Sequence, residues 1–85
     1  MKELLWSLVK SERLKRTRGV SFEELIQARL VSVKQHPGRS HQHIMLFDYK
    51  GYIWVAPFVE TEEAIFLKTL FPSRKYTSLY RKGAL

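Results

Sequence analysis

Near the C-terminus, three cations surround the end of an apolar segment. Lys68 interrupts the apolar run, Pro72 ends it, and Ser73 precedes Arg74 and Lys75. Proline cannot donate to a strand ladder but suits a turn or a helix start, and serine is a favoured helix cap. The pattern therefore predicts a strand, a short helix and two cations at their junction, where the helix N-terminus also favours a phosphate group.

These cations have either a chemical role or an ordinary structural one. Arg74 is able to bind a phosphate through two parallel N–H donors, whereas Lys75 supplies a point charge. The alternative is that both are plain charges on a helix surface. Lys68 shares a face with apolar residues of an alternating strand. It either extends to water at the sheet edge or neutralises a phosphate in a groove.

The chain has three histidines, His36, His41 and His43, in one polar loop that contains a Pro-Gly turn signal. A histidine transfers protons near neutral pH or binds phosphate when it is charged. His43 leads directly into a predicted strand and is the best placed for either role, followed by His36. The alternative is a loop histidine without a function. Because no cysteine or carboxylate set accompanies the histidines, we expect no metal and no other cofactor.

Basic charge is concentrated at the two ends of the chain. Residues 1–20 carry a net charge of +4, residues 21–72 carry −1, and residues 73–85 carry +4. If both ends fold onto one face, they form a positive patch for nucleic acid or another phosphate-bearing partner. The alternative is a solvated surface that keeps a small protein soluble. The further candidates for RNA binding are Arg13, Lys15, Arg16, Arg18, Arg81 and Lys82.

Length and composition predict one small domain over residues 1–85, with 45% hydrophobic residues available for a core. The chain has no cysteine, which is typical of a reducing compartment. It has no signal-peptide pattern, and no apolar run approaches the roughly 20 residues that span a bilayer. We therefore expect a cytoplasmic protein that has no membrane partner.

Helical spacing of apolar residues predicts a first helix over residues 2–16, and a capping box at Ser21 predicts a short second helix. Lys50 and Gly51 form a two-residue hairpin turn between two of the strands that follow. The predicted strands are residues 31–34, 44–49, 52–59 and 64–71, and the last helix runs from 73 to about 81. We therefore predict an α+β fold with two N-terminal helices, an antiparallel sheet of three to four strands and a short C-terminal helix.

Two motifs carry a resemblance to a known family. Gly19-Val-Ser-Phe-Glu-Glu24 follows the first helix, and Pro72-Ser-Arg-Lys-Tyr-Thr77 follows the last strand. They resemble the Gly-Val-Ser-Phe-Glu-Glu and Ser-Ala-Arg-Arg-Ala-Thr segments of the BrnT-like toxins, which belong to the wider RelE/ParE-like group. Trp6 stands at the family's distance from Gly19, while Ser7 replaces an aspartate and Arg18 replaces a histidine.

A second set of small toxin-like proteins is similar over the last third of the chain. The matching segments are Gly51-Tyr-Ile53, Ala56-Pro-Phe-Val-Glu60 and Phe66-Leu-Lys-Thr-Leu-Phe-Pro-Ser-Arg-Lys75. The combined resemblance covers residues 6–80. It implies an α+β fold with a curled antiparallel sheet and a ribonuclease that acts on free or ribosome-bound RNA. It also implies a cognate antitoxin, often with a ribbon-helix-helix DNA-binding domain.

The resemblance also implies roles for particular residues. Arg74 and Lys75 match a basic pair that binds the transition-state phosphate, and His43 matches a basic position before a strand. The leading hypothesis is a metal-independent endoribonuclease toxin in which Lys68 assists this pair and His43 or His36 transfers a proton, giving a 2′,3′-cyclic phosphate. The alternative is a non-catalytic basic toxin or regulator that binds nucleic acid or a protein target.

Overall fold

The fold, taken from a computed structural model of the chain, is described for residues 2–85. The elements in chain order are β1 (Glu3–Leu5), α1 (Leu8–Arg18), α2 (Phe22–Leu25), β2 (Arg29–Gln35), β3 (His43–Tyr49), β4 (Tyr52–Glu60), β5 (Ala64–Leu67), β6 (Phe71–Pro72) and α3 (Arg74–Arg81). Within the described part of the chain, no helix has the length and apolar character needed to cross a membrane.

The strands form one six-stranded mixed sheet in the order β1-β5-β4-β3-β2, with β6 paired to β4. β1 runs parallel to β5, whereas the other pairs are antiparallel. β5 and β6 follow the same edge of β4, where Leu67 pairs with Phe58 and Phe71 pairs with Val55. Residues 68–70, which we call the bulge, belong to neither strand, although the Lys68 N–H still donates to the Pro57 carbonyl at 2.8 Å.

The predicted fold class, with two N-terminal helices before three to four antiparallel strands, is wrong. The chain begins with β1, and the first helix starts at Leu8 because the Ser7 side chain caps it by accepting from the Lys10 N–H at 3.2 Å. The second helix is a single turn that ends at Leu25, and β2 begins at Arg29. The predicted strand over residues 64–71 is two short strands, so the sheet has six strands and one parallel pair.

Local capping and turn signals are confirmed. Ser21 accepts from the Glu24 N–H while the Glu24 carboxylate accepts from the Ser21 N–H, which completes the predicted capping box. The β3–β4 hairpin turns at Lys50 and Gly51, which have φ angles of 55° and 83°, the left-handed region that a two-residue turn requires. Ser73 caps α3 by accepting from the Tyr76 N–H at 3.0 Å.

Helices cover both faces of the sheet, and β4 is buried on both. On the first face, which we call the α1 face, α1 and α2 pack on a core of Leu14, Val20, Phe22, Leu25, Phe47, Trp54, Ala56, Phe58, Leu67 and Leu70. On the second, the α3 face, Tyr76 and Tyr80 of α3 pack on Ile44, Leu46, Ile53 and Val55. β4 therefore lies at the centre of the sheet.

The start of α3 is fixed to β4 by hydrogen bonds. The Thr77 hydroxyl is buried, donates to the Ser73 carbonyl at 2.6 Å and accepts from the Ile53 N–H at 2.9 Å. The Ser73 N–H in turn donates to the Ile53 carbonyl at 2.9 Å. The first turn of α3, which carries Arg74 and Lys75, therefore has a defined position on the sheet.

Glu24 gives the fold a predictable pH dependence. Hydrogen bonding from the Lys15 ammonium, followed by that from the Ser21 backbone, lowers the pKa of Glu24 from 4.5 to about 2. Because the folded-state pKa lies below the unfolded value, this carboxylate stabilises the fold above the unfolded pKa, and the contribution is lost as pH falls towards the folded one. Between about pH 5 and 2, the unfolding temperature of wild type is expected to fall more steeply than that of Glu24→Gln.

Circular dichroism melts of both proteins across this pH range measure the difference. The amide of Glu24→Gln still accepts from Ser21 but does not titrate, so the capping contact is matched. Parallel pH profiles for the two proteins would contradict the assignment of this titration to Glu24.

Candidate functional site

A cleft of about 210 Å³ opens on the α3 face, where the loop after β2 approaches the first turn of α3. We call it the His36–Lys75 cleft. It is lined by His36, Pro37, Ile44, Val55, Phe71, Lys75 and Tyr76. The sheet residues provide an apolar floor, and His36 and Lys75 provide a ring nitrogen and an ammonium at the rim. This composition suits a ligand that is anionic at one end and apolar at another.

His36 is fixed by the loop that carries it. Its backbone N–H donates to the Gln42 carbonyl at 2.9 Å, and its Nδ1 accepts from the Gly38 N–H at 3.0 Å. A neutral imidazole whose Nδ1 accepts a hydrogen bond has its hydrogen on Nε2. In this conformation Nδ1 is occupied as an acceptor, and Nε2 is the ring nitrogen that is left to donate to a ligand.

Lys75 is exposed, and no carboxylate within residues 2–85 forms an ion pair with it. Its Nζ lies 5.6 Å from the centroid of the Tyr76 ring. The ion pairs found within residues 2–85 join Lys2 to Glu60 and Lys15 to Glu24, and neither includes Lys75. An ammonium without a carboxylate partner, beside an apolar floor, is available to an anionic ligand.

Arg74 does not share the cleft with Lys75. It lines a separate recess of about 240 Å³ at the hairpin end of the sheet, together with Tyr52, Thr77, Ser78, Arg81 and Lys82. Adjacent residues on a helix point about 100° apart, so Arg74 and Lys75 face different recesses. The structure thus brings together three predicted cations, Arg74, Arg81 and Lys82, and the Arg81 Nη2 donates to the Gly51 carbonyl at 3.4 Å.

His43 lies on the opposite face of the sheet from His36. Gln35 and His43 are cross-strand partners, and because side chains alternate along a strand, His36 projects to the other face. The His43 ring stacks on Phe58 with centroids 5.7 Å apart. Within residues 2–85, no group of three or more His, Cys, Asp or Glu is arranged to bind a metal ion. The structure therefore does not join His43 to the His36–Lys75 cleft.

Two carboxylates, Glu60 and Glu62, share a recess with His43. Lys2, His41 and Thr61 also line this recess. Hydrogen bonding from Lys2 is the main cause that lowers the pKa of Glu60, and the charge of His43 contributes least. A recess with carboxylates at its rim is poorly suited to a phosphate, because like charges repel.

Four cations form a second group at the edge of the sheet. The Arg18 Nη1 donates to the Leu70 carbonyl, so α1 is tied to the bulge that carries Lys68. Partial burial lowers the pKa of Lys10, and the charges of Arg13, Lys68 and Arg18 lower it further. Lys10, Arg13 and Arg18 thus lie on the helix that contacts the segment carrying Lys68, and we call these four residues the edge cluster.

Lys10 is not among the candidates chosen from the sequence. Lys10, Leu14 and Arg18 follow one another at four-residue spacing along α1. This spacing indicates that Lys10 lies on the same side of the helix as Arg18. Leu14 is buried against the sheet, so residues at this spacing run along one side of α1 towards the sheet edge.

The other two cations of α1, Lys15 and Arg16, belong to a different side of the helix. They line a recess with Glu12 and Glu23. Lys15 also pairs with Glu24 at 2.9 Å and donates to the Gly19 carbonyl at 3.3 Å. Lys15 therefore has a structural role in joining α1 to α2, and acidic neighbours offset the positive charge there.

Comparisons with known proteins identify the fold. Neither protein-family models nor curated protein sequences give a match to the chain. Among solved structures, the 1.1 Å crystal structure of BrnT, a ribonuclease toxin from Brucella abortus, is similar, with a TM-score of 0.57. The similarity covers 86% of this chain and 97% of the BrnT chain, at 15% sequence identity.

The chain therefore has the fold of a small bacterial toxin. Specifically, it is the BrnT-like fold, and the resemblance stated from the sequence motifs is confirmed at this level. Membership of the wider RelE/ParE-like group stays a prediction.

Proposed function

We propose that the chain is the toxin of a toxin–antitoxin pair and that it cleaves RNA in the His36–Lys75 cleft. The observation that carries the proposal is the similarity of fold over 97% of a ribonuclease toxin. The cleft supports it, since it combines a ring N–H donor and an ammonium without a carboxylate partner above an apolar floor. A net charge of +7 also favours a polyanionic substrate.

The proposed reaction is a metal-independent endonucleolytic cut in which RNA supplies the nucleophile. The 2′-oxygen attacks the adjacent phosphorus, the bond from phosphorus to the 5′-oxygen breaks, and the ends are a 2′,3′-cyclic phosphate and a 5′-hydroxyl. The 2′-hydroxyl proton passes to water, and the leaving 5′-oxygen takes one from water. Lys75 stabilises the charge that develops on the non-bridging oxygens, and the His36 Nε2–H donates to the same phosphate.

The remaining predicted residues have supporting roles in this proposal. Arg74, Arg81 and Lys82 bind a neighbouring phosphate from the recess at the hairpin end. His43 lies on the other face and takes no part in proton transfer. Lys15 and Arg16 contribute only to the general positive field, because acidic residues adjoin them.

We also propose that residues 1–85 form one toxin domain, that it acts on free or ribosome-bound RNA in the cytoplasm, and that a cognate antitoxin inhibits it. The positive charge supports an antitoxin with an acidic inhibitory segment. A ribbon-helix-helix DNA-binding domain in that antitoxin is what the motif resemblance implies. The segment is expected to cover Lys75, and a complex that leaves Lys75 exposed would contradict this arrangement.

The role of His36 is tested by two substitutions. His36→Gln keeps an N–H donor on a side chain of similar reach, whereas His36→Ala removes the donor. Because His36 is proposed to donate rather than to exchange a proton, His36→Gln is expected to retain most of the cleavage rate, and His36→Ala about one hundredth of it. Single-turnover cleavage of a defined RNA measures both rates, and equal losses in the two variants would indicate proton transfer instead.

The activity itself is tested with purified protein and purified RNA, with and without ribosomes. The expected result is a set of discrete cuts that leave 2′,3′-cyclic phosphate and 5′-hydroxyl ends. RNA that stays intact under both conditions, from protein that still arrests growth, would contradict the ribonuclease proposal.

A second candidate is a non-catalytic toxin or regulator that binds nucleic acid or a protein. One observation favours it: the Gly38 N–H occupies the His36 Nδ1, so the cleft has no imidazole acceptor for the 2′-hydroxyl proton. Under this alternative, Lys75→Gln weakens binding in a salt-dependent way and no new RNA ends appear.

A further inference from the structure

We infer that the edge cluster of Lys10, Arg13, Arg18 and Lys68 is a further phosphate-binding site, which binds the backbone of a single-stranded RNA next to the His36–Lys75 cleft. The choice of RNA as the ligand rests on the proposed function. The existence of an anion site at this edge rests on the geometry and charge of the cluster alone.

Backbone and side-chain hydrogen bonds hold the cluster in place. The Arg18 guanidinium donates to the Leu70 carbonyl, which joins α1 to a segment 52 residues away. The Lys68 N–H donates to the Pro57 carbonyl at 2.8 Å, and Leu70 is fully buried. The bulge that carries Lys68 is thus anchored on both sides, so an anion meets cations whose backbone positions are already set.

Within residues 2–85, no ion pair offsets the positive charge of the cluster. Burial, followed by the charges of Arg13, Lys68 and Arg18, lowers the pKa of Lys10, and like charges repel one another. A phosphate diester placed among them removes this repulsion and accepts several charge-assisted hydrogen bonds.

The cluster and the cleft are connected along the chain. The Leu70 carbonyl binds Arg18, and the next residue, Phe71, lines the cleft. Its side chain is 38% exposed, and Phe66, whose ring lies 5.4 Å from the Lys68 Nζ, is 37% exposed. Exposed aromatic rings beside cations are the arrangement that binds single strands, with bases stacked on rings and phosphates on cations.

An acidic protein segment is the other ligand that a basic edge accepts. Carboxylates satisfy the cations but do not use the two aromatic rings as stacking surfaces. The two rings at residues 66 and 71, on either side of the single cation Lys68, therefore favour RNA. In this arrangement the RNA strand runs from the cleft over Phe71 to the edge cluster. The scissile phosphate lies at Lys75, and the edge cluster binds the flanking nucleotides.

The test uses a 2′-O-methyl RNA oligonucleotide, which binds but has no 2′-hydroxyl to react. Fluorescence anisotropy gives its dissociation constant for the full chain across a series of salt concentrations. In Lys10→Gln/Lys68→Gln, the slope of log affinity against log salt is expected to be shallower by about 1.4, because two phosphate contacts are lost. The matched control is Arg29→Gln/Lys50→Gln, which removes the same charge from exposed positions outside both sites and leaves the slope unchanged.

Equal slopes for the two double variants, with both proteins folded by circular dichroism, would overturn the inference. A poly-glutamate peptide that binds wild type but not Lys10→Gln/Lys68→Gln, while the oligonucleotide binds both proteins with equal salt slopes, would also overturn it, since the cluster would then belong to an acidic protein partner. Mapping the ends of unmodified RNA tests the proposed function separately from the binding site at the edge cluster. Uncut RNA together with the expected change in slope would refute cleavage and support the edge cluster as a binding site. Cut RNA together with equal slopes would support cleavage and refute the edge cluster as a binding site.

Discussion

Replacing Lys75 with glutamine is expected to lower the single-turnover rate of RNA cleavage by about 10²–10³-fold. The ammonium of Lys75 is exposed at the cleft and is not neutralised by a carboxylate in residues 2–85, so a substrate phosphate is its natural counter-ion. Charge on the non-bridging oxygens grows as the 2′-oxygen attacks. Loss of the cation therefore raises the barrier more than it weakens ground-state binding.

Binding and rate measurements on the same variant separate these two effects. Affinity of Lys75→Gln for the 2′-O-methyl oligonucleotide is expected to fall only severalfold, because a single phosphate contact is lost. The matched control, Arg29→Gln, removes one exposed cation from β2 and leaves the cleavage rate unchanged. A rate for Lys75→Gln within about threefold of wild type, against the much larger loss expected for a transition-state contact, would exclude this cleft as the active centre.

Replacing Leu70 with alanine is expected to lower the free energy of unfolding by about 2–5 kcal/mol. Leu70 is fully buried in the core under α1, so the smaller side chain loses apolar contacts and leaves a cavity. For a domain with a total stability of about 5–15 kcal/mol, this is a large fraction. Urea denaturation followed by tryptophan fluorescence measures the change.

The matched control is the same substitution at an exposed leucine. Leu8 is 67% exposed, and Leu8→Ala is expected to change the stability by at most about 0.5 kcal/mol. Similar losses at both positions would contradict the burial of the bulge. Since Leu70 positions the contact with Arg18 and precedes Phe71, its substitution is also expected to weaken RNA binding at the sheet edge.

The parts of the fold that the sequence predicted correctly depend on contacts within a few residues. The Ser21 capping box, the Lys50–Gly51 turn and the Ser73 cap each have a local chemical cause, and each is confirmed. The short strand β1 has no such signal. Its three residues pair in parallel with β5, about sixty positions away, and the helical spacing around them is the stronger local pattern.

The break between β5 and β6 also could not be predicted from the spacing of apolar residues in the sequence. Residues 64–71 are apolar enough for one strand, but the chain leaves the ladder between Leu67 and Phe71. Bulges on sheet edges are set by the packing and twist of the neighbouring strands. In this protein the hydrogen bond from Arg18 to the Leu70 carbonyl lies at that break, and these two residues are 52 positions apart in sequence.

Residue types at the candidate site were predictable, whereas their grouping was not. Arg74 and Lys75 are neighbours in sequence but face different recesses, because one residue along a helix rotates the side chain by about 100°. His36 and His43 are close in sequence but project from opposite faces, and that depends on the pairing of Gln35 with His43. Register and helix orientation therefore decided that His36, rather than His43, accompanies Lys75.

The most direct test of ribonuclease activity in this cleft is to map the 5′ ends of RNA in a bacterium that expresses the protein without its antitoxin. Wild type and Lys75→Gln are induced side by side at equal protein levels. The predicted result is growth arrest with new 5′-hydroxyl RNA ends for wild type and neither effect for Lys75→Gln. Growth arrest by wild type without new RNA ends, or the same ends from both proteins, would contradict the account.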